Sequence, residues 1–167
     1  YYIRADMNKE KTAKLAQLQN AQIIVNNSPS DGTLRGAADE MNIPAITLEV
    51  GNPNMYQKSM IGSGMVGIHN VLSYLGMTDD EVVESDHETV ECRDSYWIYT
   101  NNGGLLQVHV QLLDFVEKDQ KIATLKDVFG RTIEEYLAPE KGIVVGKSIS
   151  PVNQTGGRIL HLGLPKK

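Results

Sequence analysis

Two charged residues carry most of the chemistry suggested by this sequence. Glu49 closes the apolar run Ala45–Val50 just before Gly51, and Arg35 lies upstream in Gly32-Thr33-Leu34-Arg35. Side chains of an extended run alternate between faces. Ile46, Leu48 and Val50 therefore share one face, and Ala45, Thr47 and Glu49 the other. A buried carboxylate without a partner is costly or changes its protonation state, so a glutamate here needs a reason. One reading is an edge strand with Glu49 in water, or a structural ion pair with Arg35. The other is a general base or acid in a cleft, because the carboxyl end of a strand is where open α/β sheets place their ligand crevices.

The elements that must position these two residues follow from periodicity and punctuation. Asp6 or Asn8 can cap a helix running to about Gln19, and Gln22–Asn26 reads as a short buried strand. Ser28-Pro29-Ser30-Asp31-Gly32 is a loop. Leu34, Ala37, Ala38 and Met41 recur at helical spacing, which predicts a helix over 33–41 lying on the sheet with Arg35 in its first turn. Positive charge there opposes the helix dipole, which suits an arginine aimed at an anion. The bland alternative is a surface pair between Arg35 and Asp39. A longer helix spans about 57–75, with Ile61, Met65, Ile68 and Leu72 along one side and Gly76 as its cap. Gly62, Gly64 and Gly67 weaken that helix by about 0.8–1 kcal/mol each, so close backbone approach is their expected reason.

From Thr78 to Glu91 there are seven acidic residues and no Lys or Arg, which reads as a solvated linker. Beyond it the text is β: 96–99, 105–112, 122–125, 133–137, 143–145 and 159–162 are strand candidates, separated by turns such as Asn101-Asn102-Gly103-Gly104. Short strands at this spacing suggest a small barrel or sandwich.

The run GTLRGAADEMNIPAITLEVG, together with a helix ending HNVLSYLGM, resembles the succinylglutamate desuccinylase/aspartoacylase family. These are zinc-dependent amidohydrolases related to the zinc carboxypeptidases. The opening Tyr2-Ile3-Arg4-Ala5-Asp6 is similar to the family segment that follows its last zinc-binding histidine. The resemblance implies that Glu49 polarises a zinc-bound water and that Arg35 grips a substrate carboxylate. It places the zinc ligands, an H-x-x-E pair and a later histidine, upstream of residue 1. His69, His87, His109 and His161 have no ligand partner at three or four residues, and Cys92 is alone. The expected metal ligands within this chain are therefore none, with one zinc in the whole enzyme.

The fold expected is α/β: a partial zinc-carboxypeptidase-like α/β layer over 1–77, an acidic linker over 78–90, and a small all-β barrel-sandwich-like domain over 91–167. Ala138-Pro139-Glu140-Lys141-Gly142-Ile143-Val144 resembles a strand of the barrel-sandwich module of biotinyl and lipoyl carriers. Their modifiable lysine tip is missing, since Lys126-Asp127 has the reverse order. With its opening at Tyr1-Tyr2 set beside the resemblance, the chain is expected to be a C-terminal portion that holds the base but not the metal.

The implied function is hydrolysis of the amide bond of a small N-acyl amino acid or related compound, with this portion inactive alone. The alternative is a non-catalytic binding or assembly module. A net charge of −5 argues against a nucleic-acid surface. No apolar run approaches the ~20 residues of a membrane span, and one cysteine fits a reducing, cytoplasmic setting. The partners expected are a small-molecule N-acyl substrate and a second copy meeting the truncated surface.

Overall fold

Ile3 and Ala5 are fully buried while Tyr2 and Arg4 stay half-exposed, and this period of two makes Tyr2–Ala5 the first strand, β1. β2 (Ile23–Asn26) runs parallel to it, with Tyr2 opposite Ile23 and Ala5 opposite Asn26. β3 (Thr47–Glu49) runs antiparallel on the other side, with Tyr2 opposite Glu49 and Arg4 opposite Thr47. The first part of β4 (Val90–Tyr99) pairs parallel to β2 through Val90, Glu91 and Cys92. This computed structural model describes residues 1–30 and 32–166, so Asp31 of the expected loop and Lys167 of the expected β domain lie outside the described residues. The chain divides into two units, Tyr1–Cys92 and Arg93–Lys167.

The first unit holds all three helices. α1 (Glu10–Gln17) connects β1 to β2, and its Ala16 packs with Ile3, Ala5, Ala21 and Ile24. Ile46 and Leu48 pack against that cluster, so Leu48 and Glu49 do face opposite ways. The α1 N-cap is Lys9, without a side-chain bond. Asp6, one of the expected caps, instead accepts from the Asn8 backbone N–H and amide at 3.1 and 3.2 Å.

α2 (Leu34–Glu40) and α3 (Lys58–Tyr74) form close to where periodicity puts them, but each turns a different face inward. Leu34 and Met41 are 89% and 69% exposed. α2 is seated instead through Gly36, where a Cβ would run into the carbonyl of Ser30. In α3 the row Ile61, Met65 and Ile68 is about half exposed, and the buried residues are Gly64, Gly67 and Asn70. A Cβ on Gly67 would sit 2.9 Å from Gln19 Cα, so this glycine is there for backbone approach. Gly62 faces open space and has no such role. The helix ends as expected: Gly76 adopts φ +66, and Met77 N–H reaches back to the Leu72 carbonyl at 2.9 Å.

The acidic stretch is held to this unit. Asn70 donates to the Val83 carbonyl at 2.9 Å and accepts from its N–H at 2.8 Å, and Asn20 donates to the same carbonyl. Regular strand begins at Val90, six residues before the sequence pattern places it.

In the second unit, the remainder of β4 leads the order β4-β11-β9-β6, with β6 at Phe115–Val116, β9 at Gly142–Lys147 and β11 at Arg158–Pro165. A second sheet has the order β10-β5-β7-β8, from β5 (Gly104–Val108), β7 (Lys121–Lys126), β8 (Thr132–Leu137) and β10 (Val152–Asn153). Leu106, Ile122, Leu125 and Tyr136 from this sheet share one core with Val144, Ile159, Leu160 and Leu162 from the other. Both sheets stay open, and no closed barrel is seen among the described residues. β5 stops at Val108 rather than Leu112 because the chain turns inward soon after: Leu113 takes φ 72 and donates to the Val144 carbonyl.

Candidate catalytic site

Arg35 reaches the sheet from the first turn of α2. The N-cap is Thr33, whose hydroxyl accepts the Gly36 N–H at 3.0 Å, and this fixes where the helix begins. From there the guanidinium crosses to the carboxyl ends of β1 and β2. Its Nη1 donates to the carbonyls of Arg4 at 3.3 Å and Asn27 at 3.1 Å, and its Nη2 donates to Asn27 Oδ1. Three of the five guanidinium donors are spent on the protein. Among the described residues the other two, Nε and one Nη2 hydrogen, have no partner, and together they form the edge that takes a carboxylate in bidentate fashion. The alternative pair with Asp39 does not form, because Asp39 is taken by Lys9.

Asn27 is held in turn by the strand ends. Its N–H donates to the Ala5 carbonyl at 2.8 Å, which extends the β1–β2 pairing by one step. Its amide oxygen accepts a second guanidinium, from Arg4 Nη2 at 3.2 Å. Arg4 Nη1 stands 4.0 Å from Glu49 Oε1, both side chains a little over two-fifths exposed. Burial, and after it the charge of Arg4, lower the pKa of Arg35, while Asp6 opposes the shift. The ion pair read as Glu49–Arg35 from sequence is therefore Glu49–Arg4, with the Arg35 guanidinium reached from that of Arg4 through Asn27 Oδ1.

The reason for this arrangement is strand direction. β3 is antiparallel to β1, so the carboxyl end of β3 lies beside Tyr2, at the amino end of β1. Arg35 sits at the opposite end of β1. The crevice rule for parallel strands does not apply to Glu49, and what joins the two expected site residues is the Arg4 side chain lying between them. Sequence reasoning missed Arg4 and Asn27 as site residues. A charged residue between Ile3 and Ala5, and an Asn-Asn pair at the end of a buried strand, were the available signals.

The histidines serve local structure. His109 Nε2 meets Thr124 Oγ1 at 2.8 Å; His161 Nε2 meets Ser95 Oγ at 2.8 Å and its ring stacks on Trp97. His69 lies near Asp80 and His87 near Asp86 on the surface. Among the described residues no three His, Cys, Asp or Glu side chains come together as a metal site. The Cys92 thiol is fully buried, and burial pushes its pKa up to about 12.

No protein-family profile matches the chain, and no curated protein sequence does. Solved structures do match its fold. The ectoine utilization protein EutE (DoeB) from Ruegeria pomeroyi superposes with a TM-score of 0.87 at 20% identity, covering 98% of this chain and 55% of that one. A succinylglutamate desuccinylase from Silicibacter gives 0.84 at 19% identity, covering 99% and 53%. An aspartoacylase family protein from Mesorhizobium loti gives 0.78 at 15% identity, covering 99% and 58%. The chain spans about half the length of the structures it matches.

Proposed function

We propose that this chain is the C-terminal portion of a deacylase of the succinylglutamate desuccinylase/aspartoacylase type, which hydrolyses the amide bond of a small N-acyl amino acid or related compound. Its fold is shared with solved members of that family, and Ala138–Val144 keeps the order that resembles a barrel-sandwich strand. The observation that carries the chemistry is the line Arg35–Asn27–Arg4–Glu49 on one face of the first sheet. Arg35 presents a two-donor edge that can orient a substrate carboxylate. Glu49, beside Arg4 and open to water, takes the proton of the attacking water as general base and returns it to the leaving amine as general acid.

A zinc ion belongs to this reading, with its ligands upstream of residue 1. The described residues of this chain do not fit as its ligand set, and no step above is routed through it. The test is an assay of the whole protein across N-acetyl and N-succinyl amino acids, with and without chelator. Glu49→Gln is expected to lower kcat by about a hundredfold or more, the usual contribution of a general base, with KM little changed. Full turnover by Glu49→Gln, or activity indifferent to chelator, overturns the proposal.

A further inference from the structure

Asn27 Oδ1 accepts from two guanidiniums at once, Arg35 Nη2 and Arg4 Nη2. An amide oxygen has two lone pairs, so its capacity is used up, and the amide cannot flip without setting its NH2 against both cations. The hydrogen bonds alone would be served better by aspartate, which has the same shape and accepts charge-assisted bonds about twice as strong. A neutral acceptor between two like charges leaves their field uncancelled. Asp6, the nearby carboxylate that acts on Arg35, is turned to the Asn8 amides, and Glu49 stands against Arg4 only. The outward edge of Arg35 is thus left for a ligand.

We propose that Asn27 and Arg4 are positioning residues: one shared amide oxygen sets the spacing between Arg35, which holds an anion, and the carboxylate of Glu49. This inference deepens the deacylase reading and rests on it for the reaction, but not for the anion.

Asn27→Asp separates the roles, because it keeps both hydrogen bonds and removes only the neutrality. The probe is succinate, titrated calorimetrically into the chain, beside succinamide. Succinate is expected to bind and succinamide not to. Asn27→Asp should cost about tenfold or more in succinate affinity, the scale of one charge-assisted contact, with the thermal midpoint kept or raised. In the whole protein, Asn27→Asp is expected to raise KM, and Arg4→Lys to lower kcat at little changed KM. Unchanged succinate affinity in Asn27→Asp overturns the proposal and leaves Asn27 as a strand-end clamp. So does failure of the wild-type chain to bind succinate. If Asn27→Asp does not fold, Arg4→Lys decides: unaltered kcat overturns the role of Arg4. A whole protein without deacylase activity whose chain still binds succinate through Asn27 refutes the reaction and retains the site.

Discussion

Replacing Gly67 and Gly62 by alanine, one at a time, should move stability in opposite directions although both lie in α3. Alanine is favoured over glycine by about 0.8–1 kcal/mol in a helix interior, and that gain is common to both sites. At Gly62 nothing lies within 4 Å of the added methyl, so the gain stands alone. At Gly67 the methyl would lie 2.9 Å from Gln19 Cα and 3.0 Å from Gln19 Cδ, with Oε1 nearer still. The amide could swing away, but the Cα is backbone in the turn after α1 and cannot. Moving the amide also breaks the buried bond from Gln19 Nε2 to the Gly67 carbonyl, 3.2 Å long, at about 1–3 kcal/mol for the group left unpaired. Overpacking adds about 1–3 kcal/mol. The balance at Gly67 is a loss of about 1–5 kcal/mol. All three helices belong to the first unit, so urea unfolding followed by helical circular dichroism reads that unit specifically. A stabilised Gly67→Ala, or a Gly62→Ala destabilised to match, would refute the close approach of α3 to Gln19.

Cys92, pushed to about 12 from its ordinary 9.0, should resist thiol reagents at pH 8 in the native chain and react on unfolding. Because folding raises its pKa, the contribution of this thiol to stability is intact below about pH 9 and falls as pH climbs towards 12. The slope is about 1.4 kcal/mol per pH unit, read as the wild-type stability curve minus that of Cys92→Ala. Arg35→Lys keeps the charge but loses the fork, and KM for N-acyl amino acids in the whole protein should rise about tenfold; an unchanged KM refutes the carboxylate role. Thr33→Ala removes the cap on Gly36 N–H and should cost about 1 kcal/mol, measured by amide exchange in α2.

How much of this was legible beforehand divides along physical lines. Spacing located α2, α3 and most β strands, because local propensity and period suffice for existence. It misjudged which helix face goes inside. In α2 and α3 the large apolar residues recur at helical spacing, but the closest approaches are made by Gly36 to the Ser30 carbonyl and by Gly67 to Gln19, with Gly64 also buried. Close backbone approach leaves no hydrophobic signature to read. β1 escaped notice because an alternation only four residues long, with an arginine in it, is too short to stand out in the sequence. The acidic stretch looked like a linker because composition cannot show that Asn70 and Asn20 clamp the Val83 backbone.

The candidate site was half legible for a related reason. Glu49 and Arg35 advertise themselves as charged residues in apolar or glycine-rich text, whereas the link between them depends on strand direction. With β3 antiparallel, Glu49 stands across from Tyr2, and Arg4 lies two residues further along β1. Two residues of strand span about 7 Å, a diagonal that only a long side chain crosses. An arginine there has two Nη groups pointing apart, and the structure uses one on each side: Nη1 towards Glu49 and Nη2 on Asn27. Lysine at this position keeps the charge but gathers its donors on one nitrogen, without the two diverging Nη groups that reach Glu49 and Asn27 from opposite sides. Arg4→Lys should therefore keep the charge of the site while uncoupling its two halves. Crystal structures of the wild-type chain and of Arg4→Lys would show it as displacement of Glu49 or of Asn27. An undisplaced pair in the variant would mean that the strands alone set the spacing and that Arg4 is a bystander.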